Sequence, residues 1–325
     1  MLGHIDAIEM AFPPDVHTLE TVAQEVGLSR LDTRMFDRFY GLRRFHGGNG
    51  TLDELLTPVI TQLQASRPQA FAAISHVAHC HTVPDVRAFD QRALTPNWLQ
   101  RFAPQVEFAS LTMGHCATPL TAAEWLLKQL SPEGYGLLLI GEKAFHPRVK
   151  LIRDTTLMGE AACAVLLSRQ GDGPAILSRH TGQDGRFSIQ KGYDERETTE
   201  FGEHYIDFTR RHLLAALDKA NLTLGQIDWI APHNVNLSSW HRLAQLLDFP
   251  REKIFLDNIP HYGHCFGADP FINLHFLMRQ QRVRPGDKVM LVSVGLGATY
   301  ASLIVEIPTA RHTQSRPATS GNPST

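Results

Sequence analysis

At 325 residues, 43% hydrophobic and 20% charged, with a net charge of −2, the chain has the balance of an ordinary globular protein and length for one large or two medium units. Lysines and arginines are spread without a basic run, which argues against a nucleic-acid or anionic-membrane surface. No stretch approaches the ~18 consecutive apolar residues that span a bilayer. The opening MLGHIDAIEMAF has no basic region ahead of an apolar core, so a secretory signal is not expected and the expected location is the cytoplasm. Cys80, Cys116, Cys163 and Cys265 lie far apart with no CxxC pair, so a disulfide framework is not expected.

In chain order, HIDAIEMAFP reads as a first strand closed by Pro13 and Pro14. HTLETVAQEVG and RLDTRMFDRFYGLRRF read as helices around Gly27 and Gly41, and TLDELLTPVITQLQAS as a further helix with Thr51 as its N-cap. QAFAAISHVAHCH is near-continuously apolar, the pattern of a strand buried on both faces. VEFASLTM at 106–113 reads as the next strand, and ATPLTAAEWLLKQL at 117–130 as a helix with Leu120, Ala123, Leu127 and Leu130 on one stripe. GYGLLLIGEKAF and GEAACAVLLSR are two more buried strands. The succession predicts an α/β fold with a mainly parallel buried sheet.

A second half begins near Gly171. Residues 181–200 are polar without a clear period and read as a loop or edge hairpin. EHYIDFTRRHLLAALDKAN reads as a long helix, and QIDWIAPHN as a strand ending at His233. LSSWHRLAQLLDF reads as a helix with Leu237, Trp240, Ala244 and Leu247 on one stripe. KIFLDNI is read as a strand and PFINLHFLMRQQR as a helix. KVMLVSVGLGATYASLIVEI is read as two closing strands joined at a glycine turn. Both halves repeat one scheme: a buried strand, a turn bearing reactive residues, an amphipathic helix and a small-residue strand. The predicted units are therefore 1–170 and 171–308. The Ser-, Thr- and Pro-rich tail at 309–325 is expected to be disordered.

Gly114-His115-Cys116 breaks the strand before the 117–130 helix, placing Cys116 at a helix N-terminus. Free backbone N–H groups and the positive end of the helix dipole favour a thiolate there, hence a nucleophile, whereas a buried structural thiol is the bland alternative. A cysteine nucleophile needs a base or cation, and His233 in APHNVN and His264 in HYGHCFGAD both follow strands of the other half. His79, Cys80 and His81 with His261, His264 and Cys265 lack a tetrahedral-ligand spacing, so no metal is expected. Asp269, before Pro270, reads most simply as a helix N-cap.

YGLRRF, MGHCATPLTAAEWL, MGEAACAVLLS, PHNVNLSSWHRLAQLLDF, HYGHCFGAD and VGLGATYASLIVE, in that order, resemble the thiolase-fold condensing enzymes, specifically the β-ketoacyl-acyl-carrier-protein synthase III-like family. The resemblance runs over about residues 4 to 307 and implies a thiolase-like fold, two related αβ halves in a five-layer α-β-α-β-α arrangement, as a homodimer. It implies that Cys116, His233 and His264 are catalytic. The oxyanion hole would come from Cys116 and the Gly295, Leu296, Gly297 turn, and the expected substrate contacts are Asn236 and Phe266. His264 is a departure, since the family usually has Asn there. GHCFGA instead resembles the turn of elongating ketosynthases with a Cys-His-His set. Where coenzyme A-binding members carry Trp and Arg, this chain has Met35 and Phe39, which favours phosphopantetheine on an acyl carrier protein over coenzyme A. No separate cofactor is expected. The implied activity is decarboxylative Claisen condensation through a Cys116 acyl-enzyme, in specialised polyketide or fatty-acid-like biosynthesis. The alternative is acyl transfer to an O, N or S acceptor without C–C bond formation.

Overall fold

In the computed structural model the described residues are 1–82, 97–112, 114–187 and 195–309, with the side chains of 195–199 left aside. The strands are β1 (Gly3–Ala11), β2 (Ile74–Cys80), β3 (Glu107–Leu111), β4 (Tyr135–Gly141) and β5 (Ala162–Ser168) in the first half. In the second half they are β6 (Ala175–Gln183), β7 (Trp229–Pro232), β8 (Lys288–Gly295) and β9 (Thr299–Glu306). The longer helices are α1 (Leu19–Val26), α2 (Arg30–Arg38), α3 (Leu52–Ser66), α4 (Thr118–Gln129), α5 (Glu195–Ala220), α6 (Leu237–Leu247) and α7 (Asp269–Arg279).

Among the described residues the strands follow the order β7-β8-β9-β6-β1-β5-β4-β2-β3, so each half contributes one contiguous run and the two meet where β1 pairs with β6. The halves match piece by piece: β6, β7, β8 and β9 take the places of β1, β2, β4 and β5. The layers follow from the helices. α3 packs on β1, β4 and β5 from outside, and α5 covers β6 and β9, with α6 beside it. α4 touches β2 and β4 on one side and β8 and β9 on the other, while α7 reaches β1 and β5 as well as β7 and β8. Two helices enclosed between the two runs of strands, with a helical layer outside each run, make the five layers.

The sequence explains this packing. Leu120, Ala123, Leu127 and Leu130 are all buried in the central cluster with Phe271, Leu274, Val165, Leu291 and Leu303. A fully buried leucine contributes about 1.5–3 kcal/mol, so a helix enclosed between two sheets is held mainly by such a stripe. The start of α3 is fixed by a capping box between Thr51 and Glu54, as its sequence predicts.

Several expectations change: residues 69–72, read as strand, lie in a short helix Pro68–Ala72, and 44–45, read as helix, open a short strand Arg44–Gly47 paired with Asp15–Thr18. The sheet is mixed rather than mainly parallel: β1–β5, β4–β5, β6–β9 and β8–β9 are antiparallel, while β2–β3, β2–β4 and β7–β8 are parallel. The short 296–298 link between β8 and β9 permits only an antiparallel return. Residues 254–260 form no strand. Ile254 makes a single bridge to Ile230, confined between the turn Arg251–Lys253 and the short helix Ile259–Tyr262. The segment expected as a loop or edge hairpin at 181–200 instead enters through the end of β6, a central strand paired on both sides. Residues 195–200 open α5, and the polar residues of β6 just before the segment have partners on flanking helices, Arg179 with Glu124 and His180 with His212. Residues 188–194 of that segment, and 310–325 of the expected disordered tail, lie outside the described residues. No described helix is long and apolar enough to cross a membrane.

Candidate active site

Cys116 lies in a single 3-10 turn, His115–Ala117, that leads directly into α4. Pro119 occupies the first turn, where its missing N–H leaves no bond unmade. The matching turn of the second half is Phe266–Ala268, leading into α7 with Pro270 in its first turn. His115 and Phe266 both adopt left-handed φ values, +48° and +53°. The offset is constant: 266 − 115 = 151, 269 − 118 = 151 and 270 − 119 = 151. The nucleophile turn and the His264 turn are thus one structural element used twice, with Cys116 matched by Gly267 and Thr118 by Asp269.

Three turns converge on Cys116. The Ser293 hydroxyl, near the end of β8, donates to the Cys116 carbonyl at 2.8 Å. Gly295 lies so close to the nucleophile turn that a Cβ there would stand 2.2 Å from the Gly114 carbonyl oxygen. A Cβ on Gly267 would meet Pro119 at 2.5 Å and the Cys116 carbonyl at 3.0 Å. Glycine at both positions therefore allows backbone to approach backbone around the thiol. Gly297 has φ +107°, and Gly295, Leu296 and Gly297 form the link beside Gly114 from which an oxyanion donor would come.

His264 and Cys116 act on each other, and Asp269 stands behind the histidine. His264 Nδ1 pairs with Asp269 Oδ2 at 2.5 Å, with both side chains almost fully buried. Burial alone would pull the imidazole down, but the negative charges of Cys116 and Asp269, and hydrogen bonds to both, hold it up to about 10. Asp269 is fixed in turn by the backbone N–H groups of Asn234 (2.7 Å) and Cys265 (2.9 Å) and by the Asn234 amide (3.2 Å). The Asn273 amide ties Asn234 to the Pro232 carbonyl, and Asn258 backs Asn273. This network joins the ends of β7 and α7 so that the two histidine turns keep a fixed separation. Asp269 is not the helix cap its sequence position suggests: Ala268 holds that place, and Asp269 is the first helical residue with its carboxylate turned onto His264.

His233, just beyond β7, is 1% exposed, and its ring centroid lies 5.6 Å from that of His264. Burial and the neighbouring His264 cation push its pKa well down against a small opposing effect of its backbone bond to Val292, so it is held neutral. The site therefore holds one cationic and one neutral imidazole. Tyr205 of α5 enters as an unforeseen member, its hydroxyl 3.0 Å from His233 Nε2. No spacing rule marks a tyrosine in the middle of an amphipathic helix, whereas Asp269 could have been found from the 151-residue repeat.

Asn236 and Phe266 are engaged by the protein itself. Asn236 caps α6 by accepting from Ser239 N–H at 2.7 Å, and its amide donates to the Thr155 carbonyl at 2.9 Å. Phe266 is buried against Ala144 and Met158. Cys80, Cys163 and Cys265 are buried thiols, each with its pKa pushed up by burial. Among the described residues no group of three His, Cys, Asp or Glu side chains could hold a metal ion.

Residues 217–307 match the family described as 3-oxoacyl-[acyl-carrier-protein] synthase III, C terminal. The chain is 29% identical over 170 residues to β-ketoacyl-[acyl-carrier-protein] synthase III of Clostridioides difficile, covering 46% of this chain and 51% of that protein. It is 26% identical over 184 residues to the Aquifex aeolicus protein of the same name, covering 54% and 59%. The match thus spans little more than half the length of these curated relatives. The fold extends further. The structure of ChlB3, described as an acyltransferase, superposes with a TM-score of 0.80 at 16% identity, covering 94% of this chain and 98% of that one. The Aquifex aeolicus synthase III structure gives 0.75 at 19% identity, covering 94% and 99%. OleA of Xanthomonas campestris gives 0.76 at 14%, covering 94% and 98%. The chain thus has the thiolase fold of these structures along nearly its whole length, and residues 217–307 match the synthase III C-terminal family in sequence.

Proposed function

We propose that the protein moves acyl groups through a thioester on Cys116 and completes its cycle by decarboxylative Claisen condensation. The observation that carries this reading is geometric: His264, bonded to Asp269 and acting on Cys116, has the ring of His233 5.6 Å away, with negative charge raising the pKa of the first and burial lowering that of the second. Paired groups whose surroundings push their pKa values apart mark a division of acid and base roles.

In the first half-reaction the Cys116 thiolate attacks the donor's carbonyl carbon. Backbone N–H groups of Cys116 and the 295–297 turn meet the oxyanion, and the departing phosphopantetheine thiolate takes the proton of His264. In the second, a malonyl-type thioester loses CO₂. The electron pair of the broken C–C bond becomes an enolate on the thioester oxygen, which accepts hydrogen bonds from the two histidines. The enolate carbon attacks the Cys116 thioester, a C–C bond forms, and the cysteine leaves as thiolate while His264 regains a proton from water. His233 suits a donor's role here, because an imidazole held so far below its usual basicity makes a poor general base.

A second reading is favoured by one observation, the Asp269 carboxylate on His264 Nδ1. Nucleophile, imidazole and carboxylate in series resemble a proton-relay triad. After acylation such a histidine could take the proton of an incoming hydroxyl, amine or thiol, giving acyl transfer without C–C bond formation. The proposed partners are an acyl carrier protein and a second copy of this chain. The donor and acceptor are acyl thioesters on phosphopantetheine or coenzyme A, in specialised polyketide or fatty-acid-like biosynthesis within the cytoplasm. Intact-mass analysis with a panel of acyl-carrier-protein and coenzyme A thioesters, followed by malonyl thioester with CO₂ trapping, tests both readings. A stable mass increment lost in Cys116→Ala is expected. Enzyme-dependent CO₂ release selects condensation, and its absence across a broad extender panel selects simple transfer.

A further inference from the structure

Ser293 interrupts an apolar run. β8 reads KVMLVSVG, and its alternation sends Met290, Val292 and Val294 into the outer cluster of the second half and Val289 and Leu291 into the central one. Ser293 and Gly295 continue the second set, on the face turned toward the start of α4. The serine is fully buried, and its main chain lies in register with Ala301 of β9. Its hydroxyl leaves the sheet and donates to the Cys116 carbonyl at 2.8 Å. A carbonyl oxygen can only accept, so the direction of this bond is not in question.

The bond joins the two halves across 177 residues of chain. The nucleophile turn is closed within itself: the Ala117 N–H donates to the Gly114 carbonyl at 3.0 Å, and the Gly114 N–H to the Thr118 hydroxyl at 3.1 Å. Those bonds give the turn its shape but not its place beside the 295–297 link. Among the described residues the Ser293 bond is the one hydrogen bond between 114–118 and 293–297. Gly295 adds close contact, since a Cβ there would stand 2.2 Å from the Gly114 carbonyl oxygen and 2.8 Å from the His115 Cβ. Contact stops the two segments from moving closer, and the hydrogen bond stops them from moving apart. An oxyanion hole with one donor from each segment works only if both N–H groups aim at one point, and a shift of about 1 Å can cost on the order of 10²-fold in rate.

We propose that Ser293 is a positioning residue: by holding the Cys116 carbonyl it sets the register between the nucleophile and the 295–297 link, so that donors from both halves meet one oxyanion. Its purpose rests on the proposed acyl transfer through Cys116. The hydroxyl is engaged by the carbonyl and does not activate the thiol. Losing it should therefore slow reactions that pass through a tetrahedral oxyanion and spare those that need the thiol alone.

Two reagents separate these cases. Iodoacetamide alkylates the Cys116 sulfur by displacing iodide at a saturated carbon, with no oxyanion. p-Nitrophenyl acetate acetylates the same sulfur through a tetrahedral oxyanion: a C–S bond forms, the ester C–O bond breaks, and p-nitrophenolate leaves. The p-nitrophenolate burst and the alkylation rate are measured in wild type and Ser293→Ala, with Cys116→Ala as the blank. Ser293→Ala is expected to acetylate at least about tenfold more slowly, a barrier change of about 1.4 kcal/mol, while its alkylation stays within about twofold of wild type. Ser293→Thr, which keeps the hydroxyl and suits a strand, should acetylate within about threefold of wild type. Equal acetylation in wild type and Ser293→Ala overturns the proposal. So does a parallel fall of acetylation and alkylation, which would mean that the hydroxyl acts on the thiol itself. A Ser293→Thr protein with wild-type Tm but as slow as Ser293→Ala overturns it too, as does a wild type without a Cys116-dependent burst. If the contrast between the two reagents holds while no carrier-protein or coenzyme A thioester acylates the wild type, the functional reading fails and the positioning role stands.

Discussion

His264 and Asp269 are joined across the start of one helix, imidazole nitrogen to carboxylate oxygen at 2.5 Å, with neither side chain reached by solvent to any extent. The pair exists because the second half reuses the turn that presents Cys116 in the first. At the position where α4 has Thr118, α7 has Asp269, and five residues upstream the chain supplies the histidine. A carboxylate at a helix start meets free N–H groups and the favourable end of the helix dipole, and here it is turned onto His264.

Removing that carboxylate's charge with little change of shape should therefore uncouple His264. Asp269→Asn is expected to slow acylation of Cys116 by on the order of 10²-fold or more. Its alkaline limb should move to lower pH, because the imidazolium loses one of the charges that hold it up to about 10. Stability should fall by about 3–5 kcal/mol, the cost of breaking a buried pair from one side. Pre-steady-state acylation rates across pH, with urea unfolding, measure both. A wild-type pH profile in the variant would remove Asp269 from the mechanism.

Among the four thiols, Cys116 alone should be acylated or alkylated readily. Burial pushes up Cys80, Cys163 and Cys265, with Glu9 adding to the effect at Cys163 and Asp269 and Glu160 at Cys265. Iodoacetamide labelling with peptide mapping should recover the Cys116 peptide first. Cys116→Ala should abolish the acyl-enzyme, and a variant that still forms the thioester would refute the mechanism as a whole.

The two functional readings part at His264. In a condensing enzyme, His264→Ala should cut CO₂ release from a malonyl thioester by ~10²–10³-fold, the usual loss for one donor at a developing oxyanion. Some acylation of Cys116 should persist, and His264→Asn should recover part of the release. In a simple acyltransferase no variant releases CO₂, and His264→Ala slows transfer to the hydroxyl or amine acceptor. Radiolabelled malonyl thioester with trapped CO₂ separates the cases.

The donor should be carried by protein. Phe39 is 65% exposed at the end of α2, and Arg34 and Arg38 flank it on the surface, where coenzyme A-binding members of the resembled family have Trp and Arg. Acylation from a carrier protein is expected to exceed that from the same acyl-coenzyme A by at least about tenfold in kcat/KM, equivalent to about 1.4 kcal/mol. Equal rates would remove the argument.

Stability should respond to pH from both sides. The His264 pKa is raised on folding, so its contribution is fully present below the unfolded value of ~6.5 and is lost as pH rises through about 10. The His233 pKa is lowered, so its contribution is present above ~6.5 and is lost as pH falls. Denaturant unfolding of wild type and His264→Asn from pH 5 to 10.5 should show the alkaline decline reduced in the variant. Parallel curves would mean that His264 is not linked to folding.

The sequence by itself determined the local pieces. The apolar stripe of 117–130, the Thr51 cap and the runs in β2, β4 and β5 depend on nearest neighbours and on burial, which periodicity reports directly. It also placed Cys116 and His233 each just beyond a strand, because glycine and proline punctuate those turns, whereas His264 follows the short helix Ile259–Tyr262 and not the strand its sequence suggested. Only the tertiary structure decided what depends on groups distant in the chain. Strand directions follow from which elements return side by side, so the sheet is mixed where the apolar runs alone suggested parallel. Residues 181–200 looked like a loop or edge hairpin because their polar residues show no period, yet 181–183 end β6, paired with β9, and 195–200 open α5. Asp269 read as a cap because a helix-start carboxylate has the same local sequence whether it turns onto its own backbone or onto His264. Tyr205, 28 residues before His233, left no mark at all: the bond between them exists only once α5 lies across the end of β7.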